Sequence, residues 1–151
     1  RYYVDMKLKR LTELLKNLDV LIMNREEAAY LTGVSYDAKR AILKKLDEAV
    51  PGILVITDGA RGAFVSDGKE LYRAGTFPET ILLDRTGAGD AFGSGFVAGL
   101  MKKNDINFAL RLASAYATSV VERIGATPGI LRKSDLAKKR WEYLDLDVEP
   151  L

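Results

Sequence analysis

Residues 82–100 constrain the fold of this chain more than any other segment, because they combine three local signals in a fixed order. An apolar pair ends at Asp84, glycines stand at positions 87 and 89, and small and apolar residues then recur at helical spacing. This order predicts an extended segment, a tight turn and the start of a buried helix. The first turn of a helix has unpaired N–H groups and the positive end of the helix dipole, so the segment predicts an anion-binding site.

The tight turn contains Gly87, Ala88 and Gly89, and Asp90 follows in the first turn of the predicted helix. Glycines let a backbone approach an anion closely, and a carboxylate here can stay ionised near neutral pH beside a hydroxyl group. Phosphoryl transfer to an alcohol requires such an anion cradle with a base beside it. The residues alone leave a second interpretation open, a plain turn in which Asp90 only complements the helix dipole.

The longer string around this turn resembles a family signature. Residues 84–92 read Asp-Arg-Thr-Gly-Ala-Gly-Asp-Ala-Phe, and the ribokinase-like (PfkB) carbohydrate kinases have the pattern Asp-Thr-Thr-Gly-Ala-Gly-Asp-x-Phe, from which Arg85 departs. The resemblance implies an ATP-dependent kinase that phosphorylates a primary alcohol of a sugar or nucleoside, with Asp90 as the catalytic base. It also implies an anion hole formed by the backbone of Gly87, Ala88 and Gly89.

Residues 19–23 form a short apolar run that is typical of a strand buried on both faces of a parallel sheet, and Asn24 and Glu27 follow it. One interpretation of Asn-x-x-Glu is a capping box at the start of a helix. The other is a ligand site, because the carboxyl end of a parallel strand faces the ligand crevice. The resemblance favours the second interpretation, since the family has Asn-x-x-Glu here, acting on Mg²⁺ and phosphate through water. The two interpretations are compatible.

Residues 53–56 form a second buried strand, and the order strand, helix, strand predicts a right-handed parallel crossover between the two strands. Thr57, Gly59 and Gly62 follow the second strand, in a stretch that ordinary hairpin chemistry also explains. The family has a Thr-x-Gly-x-x-Gly segment that contacts the ribose and phosphates of the nucleotide. The resemblance therefore implies that these three residues bind the nucleotide.

Apolar spacing predicts three further helices and one hairpin. The first helix covers residues 4–18, and the second covers residues 38–49 with a cap near Ser35 or Asp37. A hairpin between residues 63–65 and 70–74 comes next. The third helix begins after a cap at Asp105, and its many small residues indicate either close packing or a flat group lying on the helix.

Ser114, on the third helix, occupies the place where the family often has an asparagine that lines the adenine pocket. The resemblance implies a nucleotide contact here, while the residues alone equally favour a packing serine that bonds its own helix backbone. A last helix is expected from a cap at Ser134 through Trp141. The tail, residues 142–151, has no clear period and is expected to be loose.

Residues 124–130 form a loop rich in glycine and proline. In the family the corresponding loop closes over the nucleotide and a monovalent cation. The resemblance implies that Asp84 offers its carboxylate to that cation, for which K⁺ is the candidate. The residues alone leave a turn former at the end of a strand as the alternative role of Asp84.

Composition excludes several other classes of function. The chain has 151 residues, 48% of them hydrophobic, which suits one domain with a real core. A net charge of +2 gives no argument for nucleic acid or a membrane surface as a partner, and neither is expected. The absence of cysteine and histidine excludes disulfides, thiolate zinc sites and Ser-His or Cys-His catalysis. No apolar run approaches the roughly 18 residues of a membrane span and no signal peptide opens the sequence, so a cytoplasmic location is expected.

The expected fold is α/β, a three-layer α-β-α ribokinase-like architecture with a mostly parallel sheet. Residues 1–151 are expected to be its C-terminal, nucleotide-binding part, without the N-terminal strands and the lid. The expected ligands are ATP, Mg²⁺ and a sugar or nucleoside, with a homodimer left open. The alternative is a non-catalytic nucleotide-binding or scaffold domain. Neither the P-loop pattern nor the Rossmann Gly-x-Gly-x-x-Gly pattern is present.

Overall fold

The structure is a computed structural model that describes residues 7–125 and 129–151. The described helices are α1 (Lys7–Leu15), α2 (Arg25–Thr32), α3 (Lys39–Asp47), α4 (Ala88–Lys103), α5 (Ile106–Val121) and α6 (Lys133–Leu136), with 3₁₀ turns at Gly59–Arg61 and Lys139–Trp141. The described strands are β1 (Val20–Asn24), β2 (Ile53–Thr57), β3 (Ala63–Ser66), β4 (Glu70–Ala74) and β5 (Leu146–Pro150). The chain divides into two compact units, of which the first contains residues 1–59, 63–73 and 148–151 and the second contains residues 60–62 and 74–147.

The strands pair in the order β1-β2-β3-β4-β5. The predicted parallel pairing of β1 with β2 is confirmed, with Asn24 opposite Thr57. β2 and β3 are antiparallel, with Thr57 opposite Ala63. The sheet of the described strands is therefore mixed, which corrects the expectation of a mostly parallel sheet. The reason is the short connection after β2, because a parallel partner would need a crossover of a dozen or more residues.

Apolar side chains from α1, α2, α3 and β2 form the core of the first unit. Those exposed by 4% or less include Leu15, Leu31, Ile42, Leu46 and Leu54. The prediction of a strand buried on both faces is confirmed for β2, whose three central residues are all buried. It is wrong for β1, whose apolar residues are half-buried. β1 is the edge strand among the described strands, so one of its sides is not covered by sheet.

The two long helices of the second unit, α4 and α5, pack closely, as the small residues predicted. A Cβ at Gly99 would lie 2.5 Å from Cα of Ala109, and one at Gly95 would lie 3.0 Å from Cα of Ala113. The glycines therefore let the two backbones approach each other. Asp105 begins α5 as predicted, because its side chain accepts a hydrogen bond from the backbone N–H of Phe108 at 2.7 Å.

Two predicted helix caps are wrong. α3 begins at Lys39 with Ala38 as its N-cap and without a side-chain cap, so neither Ser35 nor Asp37 fills that role. Their carbonyl groups instead accept hydrogen bonds in the turn that precedes the helix, from the N–H groups of Ala38 and Lys39. Ser134 lies inside the short helix α6, whose N-cap is Arg132.

The tail also differs from the expectation, because it ends in strand β5 rather than in loose chain. The N–H of Leu151 donates to the carbonyl of Lys69 at 3.0 Å, and Arg73 pairs with Glu149 at 2.6 Å. These partners are distant in sequence, so a local pattern could not indicate the strand. The part of the first predicted helix that precedes Lys7 lies outside the described residues. No helix in residues 7–125 and 129–151 has both the length and the apolar character needed to cross a membrane.

Candidate functional site

In the first unit, Asn24 ends β1 and caps α2. Its Oδ1 accepts a hydrogen bond from the N–H of Glu27 at 2.8 Å, and Oε2 of Glu27 accepts one from the N–H of Asn24 at 3.1 Å. The capping-box interpretation of the sequence is therefore confirmed. The reciprocal bonds hold an exposed amide and a half-buried carboxylate in one orientation at the carboxyl end of β1.

Thr57 lies beside Asn24, because the parallel register of β1 and β2 makes them partners. The Thr57 hydroxyl is 3.5 Å from the carbonyl oxygen of Met23. Gly59 follows with φ = 59°, which a side chain rarely adopts, and no atom lies within 4 Å of the position a Cβ would take. The fold thus brings together Asn24, Glu27, Thr57 and Gly59, four of the residues assigned to nucleotide and metal.

The Asn24–Glu27 pair fits a magnesium ion held through water. No group of three histidine, cysteine, aspartate or glutamate side chains that could hold a metal occurs in the described part of the chain. Mg²⁺ usually keeps several waters and needs only one or two carboxylates besides the phosphates of its nucleotide. One carboxylate beside one amide oxygen therefore fits Mg²⁺ better than it fits a metal held by protein ligands alone.

A buried ion pair between the residues that follow Asn24 and Thr57 in the chain was missed by sequence reasoning. Arg25 follows Asn24, Asp58 follows Thr57, and their side chains are 7% and 1% exposed. Nη1 of Arg25 donates to Oδ2 of Asp58 at 2.9 Å. The sequence does contain a signal for the pair, since opposite charges directly follow two strands that were predicted to lie side by side.

In the second unit, the N-terminus of α4 has no side-chain cap. Gly87 is the N-cap residue with φ = 80°, a conformation that favours glycine. The N–H of Ala88 donates to the carbonyl of Arg85 at 3.2 Å, and the N–H of Gly89 and of Asp90 donate to no other described residue. Two amides at the positive end of the helix dipole are thus available to an anion.

Asp90 and Gly89 leave this helix start open. The Asp90 side chain is exposed and makes no ion pair or hydrogen bond with another described residue, so its carboxylate is open to a ligand. A Cβ at Gly89 would meet no atom within 4 Å. The sequence prediction placed a carboxylate in the first turn beside a glycine-rich turn, and this local geometry is present.

Asp84 is held by backbone and by a neighbouring side chain. Its Oδ1 accepts a hydrogen bond from the N–H of Thr86 at 2.9 Å, and its Oδ2 accepts one from the N–H of Gly125 at 3.1 Å. The Thr86 hydroxyl is the main cause that lowers the pKa of Asp84, and the two backbone N–H groups add to it. The carboxylate thus contacts the loop that follows α5, whereas the cation contact that the resemblance implied stays a prediction. Residues 126–128 of that loop lie outside the described residues.

Gly62 and Ser114 each have a structural explanation. Gly62 has φ = 87°, and a methyl group there would collide with the carbonyl oxygen of Ala74. Ser114 is 2% exposed, and its hydroxyl donates to the carbonyl of Gly75 at 3.4 Å rather than to its own helix. The alternative that Ser114 bonds its own backbone is therefore wrong. The assignment of both residues to the nucleotide stays a prediction.

An α/β domain with an open, uncapped helix start beside an exposed carboxylate belongs to a class of proteins in which a helix N-terminus can bind an anion. The sequence profile of the pfkB family carbohydrate kinases matches residues 2–133. The chain belongs to that family.

Individual relatives agree with this assignment. An uncharacterized sugar kinase of Archaeoglobus fulgidus is 30% identical over 133 residues, which are 88% of this chain and 52% of that protein. A ribokinase of Haemophilus influenzae is 35% identical over 123 residues, which are 78% of this chain and 39% of that protein. The chain therefore spans about half, or less, of the length of these curated relatives.

Solved structures confirm the fold. The structure of Arabidopsis thaliana ribokinase complexed with ribose and ATP has a TM-score of 0.78 and 25% sequence identity, and the match covers 87% of this chain and 43% of that one. The expected ribokinase-like α/β fold, present only in part, is thereby confirmed.

Proposed function

We propose that this protein transfers the γ-phosphoryl group of ATP to a primary hydroxyl group of a sugar or nucleoside. The observation that carries the proposal is the start of α4, where the exposed carboxylate of Asp90 stands in the first helical turn beside amides that have no described partner. Membership of the carbohydrate kinase family supports it.

In the proposed reaction the acceptor oxygen forms a bond to the γ-phosphorus, and the bond from that phosphorus to the β–γ bridging oxygen breaks. The hydroxyl proton passes to the carboxylate of Asp90, and ADP leaves. The backbone of Gly87, Ala88 and Gly89 stabilises the charge on the transferring group. The Gly89 amide has no described partner, whereas the amide of Ala88 already donates to the carbonyl of Arg85.

The remaining assignments are part of the same proposal. Mg²⁺, when bound, neutralises phosphate charge, and Asn24 and Glu27 would hold it through water. K⁺ would take the carboxylate of Asp84, whose oxygens keep lone pairs beyond the two backbone hydrogen bonds. The nucleotide would be contacted by Thr57, Gly59, Gly62 and Ser114.

The test of the base is Asp90→Asn, with Ser94→Ala as the matched control one helical turn further along the same exposed face. We expect the carboxylate variant to lose about 10²–10⁴-fold in turnover, the usual contribution of a general base. Its affinity for Mg-ATP should change little, because the amide has nearly the same shape. An Asp90→Asn variant that turns over like Ser94→Ala would exclude Asp90 as the base.

The second candidate is nucleotide binding without turnover. The observation that favours it is the length of the match, about half of each curated relative or less. Mg-ATP at about 100 times its dissociation constant should stabilise a binding-competent chain by roughly 2.7 kcal/mol. A raised thermal midpoint without ADP release supports this candidate, whereas ADP release that depends on an added alcohol supports the kinase.

A further inference from the structure

We infer that Arg25 and Asp58 are positioning residues, which set the affinity for the metal–nucleotide complex by tying the ends of β1 and β2 together. The inference rests on the proposed function, because it concerns the ligand of Asn24, Glu27 and Thr57. None of the family's motif positions includes the two charged residues. Each one directly follows in the chain a residue assigned to the ligand, and the structure brings their two side chains into contact.

Arg25 makes contacts in three directions. Its Nη1 donates to Asp58 at 2.9 Å, while its Nε and Nη2 donate to the carbonyl of Tyr36 at 3.0 and 2.6 Å. Its guanidinium carbon also lies 3.9 Å from the centre of the Tyr36 ring. The planar, forked guanidinium thus holds the end of β2 and the connection between α2 and α3 at the same time.

Asp58 is held from more than one side as well. Its Oδ1 accepts a hydrogen bond from the Tyr36 hydroxyl at 3.2 Å, and Lys39 approaches its Oδ2 at 3.7 Å. Three elements therefore converge on one buried carboxylate: the start of α2, the connection that follows α2, and the start of α3. A carboxylate with several charge-assisted partners is fixed more firmly than one with a single neutral donor.

The placement of this network favours a role in ligand binding. A buried ion pair is a poor way to gain stability, since well-packed apolar side chains often serve equally well. Residues behind a metal or phosphate site act differently, because they hold the contacting groups in the geometry that the ligand needs. Arg25 and Asp58 immediately follow Asn24 and Thr57, so a shift of either one moves a residue assigned to the ligand.

The experiment compares Asp58→Asn, Arg25→Lys and the apolar double variant Arg25→Met/Asp58→Leu by thermal unfolding and by calorimetric titration with Mg-ATP. The double variant should still fold, because it leaves no buried charge unpaired, but its midpoint should fall moderately since the Tyr36 carbonyl and hydroxyl lose these hydrogen bonds. Its affinity for Mg-ATP should still fall by about 10–100-fold, as is typical when residues behind a metal site are lost. Arg25→Lys should also bind more weakly, since lysine has no fork for the Tyr36 carbonyl.

The matched control is Arg73→Gln, which breaks the ion pair with Glu149 in the same unit, at a distance of 2.6 Å. It should leave the affinity unchanged. Unchanged affinity in Arg25→Lys and in a folded double variant would overturn the inference, as would an equal loss in the control. Failure of the unsubstituted chain to bind Mg-ATP is a different result, because it would reject nucleotide binding itself and the inference with it.

Discussion

Gly89→Ala should raise the thermal stability of the chain while it weakens the proposed binding or transfer of a phosphoryl group. Because the two effects have opposite signs, one variant tests the site independently of stability. Gly89 is the second residue of α4, and it is not among the described glycines with positive φ. An added Cβ would meet no protein atom within 4 Å. The protein itself therefore accepts the methyl group without strain, and only a ligand at the helix start would contact it.

The stability effect follows from helix propensity. Alanine in place of glycine at a compatible helical position stabilises by about 0.4–1 kcal/mol, mainly because the unfolded chain loses conformational freedom. In a chain of this size that corresponds to a rise in thermal midpoint of about 1–4 °C. We expect this rise in the absence of nucleotide.

The ligand effect has the opposite sign. A phosphoryl group bound to the amides of Gly89 and Asp90 would come into van der Waals contact with the new methyl group. Forcing an additional carbon into a filled site disfavours binding by about 1–3 kcal/mol. That free energy corresponds to roughly a 5- to 150-fold loss. The loss should appear in the affinity for Mg-ATP if the anion site binds the phosphoryl group in the ground state. It should appear in turnover if the site binds that group only in the transition state.

The assay measures the thermal midpoint without ligand, the dissociation constant of Mg-ATP and the rate of ADP release. Gly87→Ala is the control for backbone strain, since φ = 80° at Gly87 makes a side chain unfavourable and should lower the midpoint. A Gly89→Ala protein with a raised midpoint and unchanged affinity and turnover would refute an anion site at this helix start. A lowered midpoint would contradict the described geometry of the turn.

Three further predictions concern stability. Gly99→Ala should destabilise by about 1–3 kcal/mol in chemical unfolding, because its Cβ would lie 2.5 Å from Cα of Ala109; a neutral result would contradict the close packing of α4 on α5. Asp105→Ala should destabilise the fold by about 1 kcal/mol, because the N–H of Phe108 loses its capping acceptor. Asp105→Asn should keep most of the stability of the unsubstituted chain, because asparagine is also a good N-cap residue. Burial is the main cause that raises the pKa of the Asp47 carboxyl group in the folded chain. The ionised carboxylate therefore destabilises the fold at pH 7. This destabilisation disappears once the pH lies below the pKa of Asp47 in both the folded and the unfolded chain. Asp47→Asn should therefore raise the thermal midpoint at pH 7, and a gain that does not shrink on acidification would contradict the assigned cause.

Local signals predicted much of the fold. The Asn24–Glu27 capping box, the Asp105 cap and the hairpin that leads from β3 to β4 all depend on residues within a few positions of each other. The parallel pair β1–β2 followed from the order strand, helix, strand. Short-range hydrogen bonding and the handedness of crossovers leave few alternatives at these points, so sequence reasoning was sufficient there.

Predictions failed where partners come from far along the chain or where local candidates compete. β5 has no apolar period of its own, and its hydrogen bond to Lys69 exists only once the chain has folded. Ser35, Asp37 and Ser134 are all good capping residues by type. Tertiary packing nevertheless set the first residue of α3 and of α6 elsewhere.

For the candidate site, the sequence by itself determined which residues stand at the start of α4, because a glycine-rich turn followed by Asp90 and a helical period permits one local arrangement. It also placed Asn24 and Thr57 at the ends of neighbouring strands. Only the tertiary structure decided that Arg25 and Asp58 form a buried pair behind them. Two charges leave water together only when folding supplies each with a partner, and that condition depends on strand register and on the Tyr36 connection rather than on neighbouring residues.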